Sequence, residues 1–320
     1  MPTIPQTIPV EVQKDLSLLK ADLDSKIPFK KLEQNLLIAT WNIRAFGDLT
    51  EKWKSESIDS PKRDMHCALA IAEILKHYDV IAVQEVKSNL KALRYVIKAM
   101  GDNYAFLLTD VNKGEVGNNE RMAYIFDTRR VQLSGLACEL TVPTEWLGID
   151  TGLAKDQFVR SPYAVSFRTQ NQTFILVTLH ILYGNKSADR INELKGIAKW
   201  LRDWASDTYS YHQNLIVLGD FNIDYRGDVL NQTFISEGFH IPPQLASPKV
   251  TRSIFDETKF YDQIAWFKDA QGVNNLNMEF VTGGNYNFMG KTLTNQPTLT
   301  TRNISDRISD HFPLWAEFKL

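Results

Sequence analysis

Strand-like runs that follow one another, set beside strand–helix units, limit the architecture most. "YAVSFRT" (163–169) and "TFILVTLH" (173–180) are rich in β-branched and aromatic residues and close enough to form a hairpin. "RMAYIFD" (121–127) and "QLSGLACEL" (132–140) precede them in the same style. Elsewhere strands alternate with helix-spaced segments. "LLIATWN" (36–42) and "DVIAVQEV" (79–86) flank "DMHCALAIAEILKHY" (64–78), for which Asp64 is the N-cap, and "NLKALRYVIKAM" (89–100) follows. "SADRINELKGIAKWLRDWAS" (187–206) and "DVLNQTFISEG" (228–238) are helical, while "LIVLGDFN" (215–222), "KFYDQIAWF" (259–267) and "HFPLWAEFKL" (311–320) are strands. Hairpins among strand–helix units exclude a doubly wound parallel sheet. The pattern predicts an α/β (α+β) chain: two mixed β-sheets packed face to face as a sandwich, with helices outside.

The chain has 320 residues, 43% of them hydrophobic, and no Pro/Gly/Ser-rich linker divides it, so one large domain is expected over 35–320. Residues 1–34 read as an N-terminal extension. Its amphipathic helix, "VEVQKDLSLLKADLDSK", carries Val12, Leu16, Leu19 and Leu23 on one stripe. Packing on the domain is the simpler use of that stripe, and a protein partner for residues 9–25 is the alternative. A net charge of −2 excludes a nucleic-acid coat protein that binds by bulk charge, though not a nucleic-acid enzyme. Cys67 and Cys138 are too few for a disulfide framework and read as buried thiols. The first residues lack a basic n-region and an apolar h-region, and no run of roughly 18 apolar residues occurs. A soluble, cytoplasmic protein is expected, provided no signal has been trimmed.

Several strands end in polar residues that a core does not need: Asn42, Glu85, His180, Asp220 with Asn222, Asp262, and Asp310 with His311. In an extended chain, Asp220 and Asn222 would point the same way. A carboxylate and an amide oxygen side by side are hard ligands, suited to Mg²⁺ or Mn²⁺. The competing reading is an Asx turn that caps the strand. Each residue taken alone is ordinary. Gathered at one rim, they supply two imidazoles, at least four carboxylates and two amides.

The same words resemble the endonuclease/exonuclease/phosphatase superfamily, and most closely its deoxyribonuclease I branch. They are "TWNIRAFG" (40–47), "YDVIAVQEVKSN" (78–89), "NNERMAYIF" (118–126), "VRSPYAVSF" (159–167), "VTLH" (177–180), "LGDFN" (218–222), "YDQI" (261–264) and "ISDHFPL" (308–314), in the order of that family. The resemblance implies Mg²⁺ (or Mn²⁺ or Ca²⁺) held by Glu85, Asn42 and Asp310. Asp220 and Asn222 fall where the family holds a second metal or the scissile phosphate. It makes His180 and His311 the catalytic histidines, oriented by Glu120 and Asp262. Arg160 matches the arginine on the phosphate, and Arg44 and Lys87 match positions that face DNA. The implied activity is hydrolysis of DNA, with duplex the expected partner. Rivals within the superfamily act on abasic DNA, RNA or inositol lipids, and a non-catalytic binding module is a further alternative. Which histidine is the base stays open. The branch's groove-packing tyrosine is Asn118 here, and its groove arginine after the metal-binding Glu is Lys87.

Overall fold

The computed structural model describes residues 3–4, 7–112, 118–141, 158–169, 172–184, 187–206, 214–268 and 271–320. Helices are α1 (Val10–Lys26), α2 (Met65–Leu75), α3 (Lys91–Met100), α4 (Ser187–Ser206), α5 (Val229–Ser236), α6 (Pro243–Ala246) and α7 (Thr301–Arg307). Strands are β1 (Asn35–Phe46), β2 (Val80–Lys87), β3 (Tyr104–Leu108), β4 (Glu120–Asp127), β5 (Gln132–Glu139), β6 (Tyr163–Arg168), β7 (Thr173–His180), β8 (Leu215–Asp220), β9 (Phe239–His240), β10 (Asp262–Phe267), β11 (Glu279–Asn285) and β12 (Leu314–Lys319). They form two six-stranded sheets, ordered β11-β12-β1-β2-β4-β3 and β5-β6-β7-β8-β10-β9. Both are mixed. β1 with β2 and β7 with β8 run parallel, and their neighbours are antiparallel. The expected sandwich is therefore the observed one.

Period-2 burial builds the layers. On β1, Leu36 and Ile38 face the opposite sheet, where they meet Leu176, Ile216 and Trp266. Leu37, Ala39 and Trp41 turn the other way, into a core shared with α1, α2 and α3. The outer face of the second sheet packs Val177, Val217 and Ala265 beneath α4 and α5. Both faces of β1 and β8 are thus covered, which is why these strands read as continuous apolar runs. Asp64 caps α2 by accepting from the Cys67 N–H, as the sequence indicates.

α1 belongs to this packing. Leu19 and Leu23 are fully buried, and Leu16 is partly buried. The helix stops at Ile27, which is extended because Pro28 follows it. The stripe also hides a charge. Asp15 is buried and accepts from the Leu293 and Thr294 N–H groups at 2.8 and 2.7 Å, with His66 Nε2 at 2.9 Å. Both cysteines are free. Cys67 is buried as expected, but Cys138 is only half-buried, because it lies on the edge strand β5.

Candidate active site

The strand registers gather the polar residues. β7 and β8 place His180 opposite Asp220, and β8 and β10 place Asp220 opposite Asp262. In the other sheet, Asn42 pairs with Gln84, one residue before Glu85, and Lys87 pairs with Glu120. Both sets lie at one edge of the sandwich, at the C-terminal ends of the parallel strands. Buried polar side chains join the sheets just beneath: Gln84 Nε2 donates to Thr178 Oγ1 at 2.9 Å.

Local backbone geometry aims these side chains. Gly219 has φ +144°, and a Cβ there would lie 2.1 Å from the Leu179 carbonyl oxygen, so only glycine fits. Glu85, Ala45 and Asn222 adopt φ of 61°, 45° and 49°, a region that costs non-glycine residues about 1 kcal/mol or more. The extended geometry that would align Asp220 with Asn222 therefore ends at Asp220. The Asn222 N–H donates to Asp220 Oδ1 at 2.9 Å, an Asx turn, and Asn222 Nδ2 donates to the Ile181 carbonyl. Turn and site coexist, and the turn leaves Asp220 Oδ2 facing the rim.

That oxygen is the centre of the arrangement. His180 Nε2 lies 3.8 Å from it, His311 Nε2 3.9 Å, and Asn42 Nδ2 donates to it at 3.0 Å. Asn42 Nδ2 also reaches Glu85 Oε1 at 3.2 Å, and the Ala45 N–H donates to Glu85 Oε2 at 2.8 Å. His311 Nδ1 meets Asp262 Oδ2 at 2.8 Å. His180 Nδ1 is 3.5 Å from Glu120 Oε2. Glu120 is buried between Arg160 Nη2 and Lys87 Nζ, each 2.9 Å away, so its charge is already paired. Lys87, which the resemblance sets facing DNA, thus also bonds a site carboxylate. Arg44 donates to Ser305 Oγ and lies 3.5 Å from Asp306 and 3.9 Å from Asp310.

Burial and charge set the proton states. Burial, with Arg160, His311 and Lys87 nearby, pushes the His180 pKa well below the usual histidine value. Burial also opposes charge on His311, but Asp262, Asp220 and Asp310 outweigh it and hold its pKa well above the usual value. Burial pushes the Asp220 carboxyl up to about 6; Asp262 adds to this, and His311 opposes it. Burial, Glu120 and Asp310 likewise raise Glu85.

A cation fits these groups. Asn42 Oδ1 is buried with no hydrogen-bond partner among the described residues, while Nδ2 of the same amide bridges the Glu85 and Asp220 carboxylates. An all-oxygen set of Asn42, Glu85, Asp310 and Asp220 suits a hard divalent ion. A second set, Asp220, Asp262 and His311, presents ligand atoms within 4.8 Å of one another. Arg160 offers donors suited to an anion: its Nε and Nη1 are buried without a partner among the described residues.

Three supporting groups carried no sequence argument. Ser309 Oγ donates to the Asn42 carbonyl at 2.6 Å and accepts from the N–H groups of Arg44 and His311. "ISDH" contains it, and its place before Asp310 was the available signal. Arg63 is buried and donates to the carbonyls of Arg44, Ala45, Arg307 and Ile308, tying two site loops together. Arg190 donates to the Asn222 carbonyl. Neither arginine has a sequence signature.

A two-sheet sandwich with histidine–carboxylate pairs and an acidic pocket at one edge frames the site. The chain belongs to the Endonuclease/Exonuclease/phosphatase family, whose sequence model matches residues 39–312. It is 30% identical over 195 residues to a protein of Thioalkalivibrio sp. (strain K90mix) named deoxyribonuclease, a match spanning 59% of this chain and 46% of that one. The chain thus spans about half the length of that relative. Solved structures share the fold. A Bacteroides thetaiotaomicron protein of the same family aligns with TM-score 0.57 at 14% identity, over 89% of this chain and 95% of that one. The human Nocturnin catalytic domain aligns with TM-score 0.54 at 16% identity, over 90% and 95%. Enzymes of the family are generally dependent on divalent metal. No helix among the described residues is long and apolar enough to cross a membrane.

Proposed function

We infer that this protein is a divalent-metal-dependent endonuclease that hydrolyses phosphodiesters of DNA. The observation that carries this reading is the convergence of two imidazole Nε2 atoms on Asp220 Oδ2, beside a carboxylate pocket and an unfilled arginine fork. The thirty-per-cent likeness to a protein named deoxyribonuclease supports DNA as the substrate.

Mg²⁺ held by Glu85, Asn42, Asp310 and Asp220 would neutralise charge on the phosphate and act as a Lewis acid. Arg160 Nε and Nη1 would bind a non-bridging phosphate oxygen, and the remaining Asn222 amide hydrogen would donate to the phosphate as well. Arg44 would steer the backbone into place, and Lys87, at the DNA-facing edge, would act chiefly by pairing Glu120. His180 sits beside Arg160 and Lys87, while the carboxylate nearest it is already paired. It is therefore neutral, and its Nε2 accepts the proton of the attacking water. His311 is held against Asp262, carries its proton, and donates from Nε2 to the leaving oxygen. Asp262 fixes the His311 tautomer at Nδ1, and Glu120, 3.5 Å from His180 Nδ1, would orient that ring on closing the gap.

Residues 35–320 would form the catalytic domain, and 1–34 an extension that braces it. The free thiols of Cys67 and Cys138 suit a cytoplasmic setting. Supercoiled plasmid with Mg²⁺ tests the reading. Nicked circles should form before linear DNA, and EDTA should stop the reaction. Intact plasmid after prolonged incubation with Mg²⁺, Mn²⁺ or Ca²⁺ would exclude a DNA endonuclease.

A further inference from the structure

The loops beside Asp220 and His311 carry aromatic and cationic groups for which the hydrolytic steps have no use. The Tyr261 ring lies against His311, with centroids 5.5 Å apart. Lys259 Nζ is 5.4 Å from the centre of the Tyr261 ring and 4.3 Å from that of Tyr225. The guanidinium carbon of Arg190 is 5.0 Å from the centre of the Tyr183 ring. Asp224 ties the two cations together, with Oδ2 2.9 Å from Arg190 Nη2 and Oδ1 3.7 Å from Lys259 Nζ. Arg190 is buried, and it also holds the Asn222 carbonyl, so the assembly is continuous with the site.

Each outer tyrosine thus has a cation against its ring and still faces water: Tyr183 is 55% exposed and Tyr225 46%. A ring braced in this way loses little freedom when a second flat group stacks on it. Every nucleobase has a π-face, so stacking of this kind tolerates any sequence. A base inside an intact duplex already stacks on its neighbours. An unpaired base leaves its stack at a smaller cost.

We propose that Tyr183 and Tyr225 form a stacking platform for an unpaired base beside the cleaved phosphodiester, so that this protein selects DNA with an unstacked base next to the cut. The proposal rests on the reading that the chain cleaves DNA. Its occupant is a nucleobase, because Tyr183 lies in the loop that follows His180 and Tyr225 in the loop that follows Asp220, where a nucleotide flanking the phosphate must run.

The test uses the full chain. Binding of a fluorescein-labelled oligothymidylate is measured in EDTA. Cleavage with Mg²⁺ is measured on two labelled duplexes, one fully paired and one with a single-nucleotide bulge. The parent should bind the oligonucleotide and cut the bulged duplex about tenfold faster, a ratio in the range that one stacked base provides. Tyr183→Ala and Tyr225→Ala should each weaken oligonucleotide binding between about fivefold and a hundredfold. Both should bring the two cleavage rates toward equality, with melting temperatures close to the parent's. Tyr183→Phe should keep the binding and the preference, since stacking needs the ring and not the hydroxyl; Tyr225 is less suited to this control, because its hydroxyl accepts from Lys259 Nζ at 3.1 Å. A parent that nicks plasmid but cuts the two duplexes equally fast would overturn the platform and leave the nuclease reading intact. So would unchanged oligonucleotide binding in both alanine variants. A parent that binds anionic lipid vesicles through these tyrosines, and no oligonucleotide, would assign the rim to a membrane and overturn the proposal. A parent that cuts no DNA at all removes the reading and the platform together.

Discussion

Nδ1 of His311 lies 2.8 Å from Oδ2 of Asp262, and that carboxylate is fully buried on β10. The contact fixes which ring nitrogen faces the substrate. It also stabilises the protonated ring, which is the form that donates to a leaving oxygen. His311→Ala should lower the turnover rate by at least about two orders of magnitude, as expected for a lost acid–base partner. Asp262→Asn should lower it by about 10- to 100-fold, the usual effect of removing an orienting group, with little change in substrate affinity. Single-turnover nicking and DNA binding in EDTA separate the two quantities. Wild-type turnover in Asp262→Asn would mean that the pair only supports the fold.

Asp220 gives a pH signature in the metal-free protein. Its folded carboxyl is raised to about 6, above the ordinary 3.8. The folded state then binds the extra proton more tightly than the unfolded chain. Stability from this group is greatest below about pH 4 and declines as pH rises through about 6. In EDTA at pH 7.5, Asp220→Asn should therefore melt a few degrees above the parent, and the gain should vanish near pH 4. Added Mg²⁺ should raise the parent's melting temperature more than the variant's, because the variant's pocket has lost one of its carboxylates. Glu85→Gln should raise the Mg²⁺ concentration needed for nicking, since an amide is a weaker hard ligand. A parent whose melting temperature ignores Mg²⁺ would remove the metal pocket.

The strands that build the site were legible because they are buried on both faces, and their polar ends interrupt an apolar run. Asp220 after "LIVLG" and His180 after "TFILVTL" are visible for that reason. The edge strands β3 and β11 were not. β3 is only half-buried along its length, so it shows no alternation. β11 contains Gly283 and Gly284, which read as a turn. In the fold a Cβ on Gly283 would lie 2.7 Å from both the Trp315 carbonyl and Leu245, so close packing demands the glycine. Sequence also could not show that Lys87 and Arg160 share Glu120. That contact depends on the register of β2 with β4, and on where the chain re-enters before β6. Asp15 was hidden inside a hydrophobic stripe, because a buried carboxylate is intelligible only once its donors, 278 and 279 residues away, are known.

Those donors make Asp15 a stability determinant. Asp15→Ala would leave the Leu293 and Thr294 N–H groups and His66 without their acceptor, at a cost of about 3 kcal/mol or more. The melting temperature should fall by several degrees. Burial opposes ionisation of Asp15, but the hydrogen bonds from His66 and Thr294 outweigh it and lower its pKa. Its contribution is thus present above the unfolded value near 4 and is lost as pH falls through the lower folded one. The gap between parent and variant should narrow in acid. Removing residues 1–34 should destabilise further, since Leu19 and Leu23 leave the core with it. A truncated chain with the parent's melting temperature would show that α1 is dispensable.

Arg44 brings the last prediction, because two roles compete for it. Its guanidinium lies 3.9 Å from Asp310 and 3.5 Å from Asp306, and it donates to Ser305. As a DNA contact, it adds one phosphate to the interface, and each such contact contributes about −0.9 to the slope of log affinity against log salt. As a counter-charge to Asp310, it does the opposite for metal: while the cation is there, the carboxylate attracts Mg²⁺ less strongly. Arg44→Ala should therefore weaken DNA binding, flatten the salt slope by close to one unit, and lower the Mg²⁺ concentration at half-maximal nicking. Lys87→Ala offers the contrast. Its ammonium is bonded to Glu120, so its removal frees that carboxylate to face His180 and should reduce turnover more than affinity. Fluorescence anisotropy over a salt series gives the slopes, and Mg²⁺ titrations of nicking give the metal requirement. An Arg44→Ala protein with the parent's slope and a lower Mg²⁺ requirement would confine Arg44 to the metal pocket. The reverse result would place it on the DNA.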